Sequence, residues 1–102
     1  MAQLPDGVKV TWFGHSTFRI TTPSGANILI DPWVMGNPAC PDELKDPGDL
    51  DGMLITHPHF DHIGDAVEII KDKNPQVVAI AETAGWLQSK TNSDSIVDMN
   101  RL

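Results

Sequence analysis

Basic residues and cysteine are both scarce in this 102-residue chain, and each scarcity removes a class of protein. Seven Lys and Arg stand against fourteen Asp and Glu, a formal net charge of −7. So acidic a surface repels a phosphate backbone, and nucleic acid is not an expected partner. The acidic residues are densest from Asp42 to Asp51, a run that reads as a solvated loop. Cys40 is the only cysteine, which excludes an intrachain disulfide and gives no sign of an oxidising compartment. No run approaches the roughly 18 apolar residues of a membrane span. The opening "MAQLPDGVKV" has no basic leader ahead of an apolar stretch, so a cytoplasmic location is expected. Internal repeats, low-complexity tracts and linkers are also missing. What remains, with 40% hydrophobic residues, is the composition of one folded domain over residues 1–102 with no internal boundary. An α/β core of this length is small, and the chain is expected to be part of a larger unit.

Apolar periodicity gives the order of elements. "VKVTWF" (residues 8–13) and "TFRITT" (residues 17–22) alternate apolar with polar residues, as half-buried strands do. "PSGAN" supplies turn residues before the short apolar strand "ILI" (residues 28–30), which Asp31-Pro32 closes, so the chain opens with an antiparallel meander. Residues 33–50 carry three prolines and two glycines without a period and read as a long irregular loop. "GMLIT" (residues 52–56) reads as a buried strand. Ile63, Ala66, Val67, Ile69 and Ile70 then follow helical spacing, with Asp65 and Glu68 in the form of a capping box and Asn74-Pro75 as the stop. "VVAIA" (residues 77–81) reads as a strand, "ETAGWLQSK" (residues 82–90) as a helix and "SIVDM" (residues 95–99) as a strand. This alternation predicts an α/β fold with crossovers onto a parallel sheet.

Histidine, scarce elsewhere, is concentrated between strand and helix. "HPHFDHIGD" holds His57, His59 and His62, three of the four histidines, with Asp61 among them. In extended backbone, residues two apart project to one side, so His57 and His59 can reach one point. Asp61 and His62 diverge from them as the chain turns and can serve a second ion. Imidazole and carboxylate suit zinc, iron or manganese, and paired ions about 3.5–4 Å apart share one short loop without difficulty. The loop also leaves the carboxyl end of a strand, where α/β proteins place ligands. A structural role for so many ionisable groups offers no evident gain in stability. Cys40 and Ser16 have no base at a telling spacing, so a covalent mechanism is not expected.

"WFGHSTFRI", "ILIDPW" and "MLITHPHFDHIGDAVEI", in this order, resemble the metallo-β-lactamase superfamily. The likeness is to the branch of ascorbate-6-phosphate lactonase-like and N-acyl-phosphatidylethanolamine phospholipase D-like hydrolases. The resemblance implies the amino-terminal half of an αβ/βα sandwich. It implies that His57 and His59 ligate one metal and Asp61 and His62 a second, with Asp61 the catalytic member of the set. Zinc is the first expectation, then manganese, iron or nickel. Asp31 matches an aspartate that orients the ligands, and His15 falls in the Gly-His-Ser turn near the metal cleft. Asp31 as a turn residue and His15 as a strand-end residue bonded to backbone are the plainer readings.

The resemblance also implies further ligands downstream, yet no histidine follows His62, and Asp94 and Asp98 read as solvated surface residues. The expected function is hydrolysis of an ester, lactone or phosphodiester by a metal-activated hydroxide, on a small-molecule substrate. A complementing carboxy-terminal chain is expected to restore the missing ligands, whereas self-association would restore only packing. A noncatalytic metal-binding module and a nuclease-type phosphodiesterase are the alternatives, the acidic balance counting against the second.

Overall fold

The computed structural model describes residues 5–56, 59 and 63–99. Strands β1 (Lys9–Gly14), β2 (Thr17–Thr21), β3 (Asn27–Ile30), β4 (Gly52–Leu54), β5 (Gln76–Ala79) and β6 (Ile96–Asp98) form one six-stranded mixed sheet in sequential order. β1, β2 and β3 pair antiparallel, as the alternating stretches predict. From β3 onward the pairing is parallel, because each return passes through a long connection: the loop of residues 31–51, then helix α1 (Ala66–Lys73), then helix α2 (Ala81–Thr91). Two reversals in the meander leave β1 running the same way as β3 to β6. The carboxyl ends of these five strands therefore share one rim.

Among the described residues, helices cover one side of the sheet. Leu29, Met53 and Val77 are register partners on β3, β4 and β5, all fully buried against Ala66, Ile69 and Ile70 of α1 and Ala84 and Leu87 of α2. The α1 residues recur at helical spacing, so the apolar stripe faces the sheet. Asn74 and Asn92 end the helices in the left-handed conformation, their backbone N–H groups returning to Ile70 and Gln88. On the opposite face, Trp12, Phe18, Ile30, Leu54, Val78 and Val97 form one apolar row across all the strands. Trp12 is 58% exposed, and no part of this row is buried. Alternation along each strand produces both faces, but the described helices cover only one.

The long loop is irregular yet fastened from within. Its one regular turn is a short 3-10 helix at Asp42–Leu44, and it buries Val34, Cys40 and Leu50 in the core. Lys45 Nζ donates to the carbonyls of Val34, Met35 and Asn37 at 3.2, 3.3 and 2.9 Å. Asn37 Nδ2 donates to the Gly14 and Trp33 carbonyls at 3.0 and 2.9 Å. These side chains satisfy backbone groups that have no ladder partner. The acidic run is exposed at Asp42, Glu43, Asp46, Asp49 and Asp51, and Asp46 meets Lys73 of α1 at 3.2 Å.

Two expectations need correction. Asp65 and Glu68 do not form a capping box: the Asp65 side chain makes no bond to its helix but reaches across to the long loop. Asp98 is half-buried on β6 rather than fully solvated, although Asp94 is exposed. A spacing rule describes what a side chain can do locally; tertiary partners decide what it does.

Gly14 tests the packing of hairpin against loop. It sits at φ +104°, and an added Cβ would lie 2.8–2.9 Å from the backbone and Cβ of Ala39. Gly14→Ala is expected to lower the unfolding free energy by about 1–3 kcal/mol from backbone strain alone, read as a lower urea midpoint at unchanged slope. An unchanged midpoint would mean that the loop yields freely at Ala39.

Candidate metal-binding rim

The rim at the carboxyl ends of β1, β3 and β4 carries, among the described residues, His15, Asp31 and the approach to His59. β4 runs into Ile55 and Thr56, and the histidine cluster follows directly. His59 is exposed, and its carbonyl accepts the Ile63 backbone N–H at 3.1 Å. His57, Asp61 and His62 lie outside the described residues. Among the described residues no group of three or more His, Cys, Asp or Glu side chains converges on a metal position.

Asp31 is placed where the cluster begins. It is 3% exposed, adopts φ 50°, and receives two donors from Thr56. The Thr56 backbone N–H donates to Oδ1 at 2.7 Å and the Thr56 hydroxyl to Oδ2 at 2.7 Å. The Asp31 N–H in turn donates to the Leu54 carbonyl at 2.9 Å. A buried carboxylate with donors on both oxygens escapes the usual penalty for burying charge. The left-handed backbone, tolerable for Asp, aims the side chain across to β4 instead of continuing β3. Thr17, fully buried, holds this turn from beneath: its hydroxyl donates to the Asp31 carbonyl at 2.6 Å and accepts the Trp33 N–H at 3.2 Å.

His15 lies at the same rim, in the turn between β1 and β2, with φ 54°. Its exposed ring meets the Trp33 ring edge-on, centroids 5.5 Å apart at 87°, and its carbonyl accepts Trp12 Nε1–H at 3.0 Å. The structure thus brings His15 and Asp31 to flank residue 33, although they are sixteen positions apart in sequence. Cys40 is buried, and its thiol pKa is pushed up, first by burial, with the Lys45 ammonium pulling the other way and Glu43, Asp42 and Asp65 adding to the rise. Such a thiol resists forming thiolate, consistent with a packing role.

Thr17, Asn37, Lys45 and Asp65 were not singled out as site residues. Thr17 and Asn37 gave no signal, being single polar residues in a strand and a loop. Lys45 gave no signal inside the acidic run, and Asp65 pointed to its own helix.

The model of the metallo-beta-lactamase superfamily matches residues 10–92. A "UPF0173 metal-dependent hydrolase" of Koribacter versatilis is 59% identical over 95 residues, covering 93% of this chain and 40% of that protein. A protein of the same description from Rubrobacter xylanophilus is 48% identical over 90 residues, covering 88% of this chain and 37% of its own length. Among solved structures, Igni18, a metallo hydrolase from the archaeon Ignicoccus hospitalis, superposes with a TM-score of 0.77 at 36% identity, over 91% of this chain and 40% of that one. The chain spans about 40% of the length of the first two of these proteins or slightly less.

Asp31→Ala leaves both Thr56 donors without their acceptor and is expected to destabilise the fold by about 1.5–3 kcal/mol, the range for hydrogen bonds to charged groups. Urea unfolding of the parent and variant checks this, with Asp31→Asn, which keeps one acceptor oxygen, expected between them. Equal midpoints for all three would remove Asp31 as an anchor.

Proposed function

Because the chain belongs to the metallo-β-lactamase superfamily, we propose that it supplies the amino-terminal metal-binding part of a metal-dependent hydrolase. In this reading His57 and His59 hold one divalent ion, Asp61 and His62 a second, and zinc is the first candidate. The observation that supports the reading is the anchoring of Thr56, the residue before the cluster in sequence, whose N–H and hydroxyl both donate to buried Asp31 at the rim of the parallel strands. The donor set also fits, since imidazole and carboxylate suit zinc, manganese, iron and nickel. When bound, the ions supply Lewis acidity and bring the ionisation of water toward neutral pH.

The chain's own residues would do the positioning. Asp31 fixes the entry to the loop, so that the ligands are held before a metal arrives. His59 is exposed, so a substrate could reach it. His15, carried edge-on against Trp33, would stand beside the substrate as part of the neighbouring turn. The chemistry is that of a small ester, lactone or phosphodiester attacked by water, with no protein nucleophile.

A carboxy-terminal complement is part of the proposal. Two ligands per ion fall short of the usual three protein ligands at a catalytic zinc. The apolar row from Trp12 to Val97 offers the surface on which such a complement would pack. The relatives, more than twice as long, contain the length needed. Nuclease action is disfavoured on charge: of seven basic residues, Lys45 is taken up by three carbonyls, Lys73 by Asp46, and Arg19 by the Pro47 carbonyl and the Phe13 ring. The formal net charge of −7 also opposes a polyanion.

Two measurements test the reading. Metal content after equilibration with zinc is expected to fall to background in the His57→Ala, His59→Ala double variant, and affinity to drop about 10- to 100-fold in Asp31→Asn. Full metal content in the double variant would overturn the ligand assignment. Hydrolysis of a lactone and a generic phosphodiester is expected only when a carboxy-terminal complement is added; turnover by the isolated monomer that disappears with His57→Ala would overturn the need for one.

A further inference from the structure

We infer that Asp65 is a positioning residue for the histidine loop, holding the exit of that loop to residues 32–35 as Asp31 holds its entry. The inference rests on the metal-binding reading above and adds a residue to it.

The argument starts from the failed capping box. Asp65 stands where a helix N-cap should stand, yet its carboxylate makes no bond to α1. Its Oδ2 instead accepts the backbone N–H groups of Val34 and Met35, the second at 2.8 Å. Its own backbone N–H donates to the Pro32 carbonyl at 3.0 Å, and its carbonyl accepts the Ile69 N–H that opens α1. One residue thus links the start of the helix to the turn that follows Asp31.

The turn it grips is a firm support. The carbonyls of Val34 and Met35 both accept from Lys45 Nζ, so the N–H side of this segment is held by Asp65 and the C=O side by Lys45. Val34 is fully buried in the core. Residues 31–35 therefore carry both ends of the connection from β4 to α1, with Thr56 on Asp31 and Asp65 on Pro32, Val34 and Met35. Pinning both ends of a short segment to one support limits the conformations open to what lies between, and ligand placement is sensitive to shifts of about 0.5 Å.

Both N–H groups converge on a single oxygen, which makes the role separable from charge. The amide oxygen of Asp65→Asn can accept the same two donors, whereas Asp65→Ala cannot. The full metal-free chain, its Asp65→Asn and Asp65→Ala variants and Glu68→Ala are compared by hydrogen exchange, and the same proteins are titrated with zinc and with cobalt, whose visible absorption reports ligand geometry. The expected result is faster exchange at residues 57–62 in Asp65→Ala, with zinc affinity down about 10- to 100-fold and an altered cobalt spectrum. Asp65→Asn and Glu68→Ala should stay within about threefold of the parent, on the same scale. Exchange and affinity unchanged in Asp65→Ala would overturn the inference, as would faster exchange confined to α1, the mark of a plain helix cap. A parent chain that binds neither metal, with exchange still faster at residues 57–62 in Asp65→Ala, would overturn the metal reading while leaving the positioning role intact.

Discussion

The bonds from Thr56 to Asp31 are the constraint on which the rim depends. β3 and β4 are short, and their ladder ends at the pairing of Ile30 with Leu54. Past that point the strands would be free to separate, and the histidine cluster begins only two residues after Ile55. Asp31 extends the pairing by side chain: it turns out of β3 at φ 50° and takes the N–H and hydroxyl that β4 presents next. A charged acceptor is suited to this, because hydrogen bonds to an ionised carboxylate are roughly twice as strong as neutral ones. The cost of burying the charge is met by using both oxygens, and Thr17 beneath keeps the turn from opening.

Chain direction explains why so much of the sequence reports to this one edge. Had the meander contained one strand fewer, the turn after β1 would lie at the far end of the sheet. With two reversals it lies beside the turn after β3, so His15 meets Trp33 and Asn37 reaches the Gly14 carbonyl. The long loop is then part of the rim architecture. Lys45 draws three carbonyls together, and Asn37 ties the loop to the hairpin. The order of the loop is thus bought by a few polar side chains rather than by regular structure.

The uncovered face belongs to the same logic. A parallel sheet is normally buried on both sides. Here the side toward α1 and α2 is dry, while Phe18 and Leu54, central in the opposite row, are 36% and 39% exposed. The strands carry apolar residues on both faces, which a sheet meant to face water on one side would not. The apolar row on that face thus lies outside the core that the described helices make with the sheet.

Much of this was legible in the chain because it is encoded locally. Periods of two and 3.6 placed the strands and helices within a residue or two, Asn74-Pro75 marked a helix end, and the spacing of His57, His59, Asp61 and His62 marked the cluster. The supports were illegible because their meaning is not local. Asp65 carries the spacing of a cap, and nothing near it in sequence says that Val34 and Met35, some thirty positions earlier, will present two unpaired N–H groups to it. Lys45 lies in an acidic run that reads as solvent-exposed, yet three carbonyls fold around it. Those N–H and C=O groups exist only because Asp31 ends β3 and sends the chain across the rim without a ladder. Polar side chains that complete irregular backbone take their identity from a path the chain adopts after its regular elements are set, so a reader of sequence can mark a candidate cluster without seeing the polar contacts on either side of it.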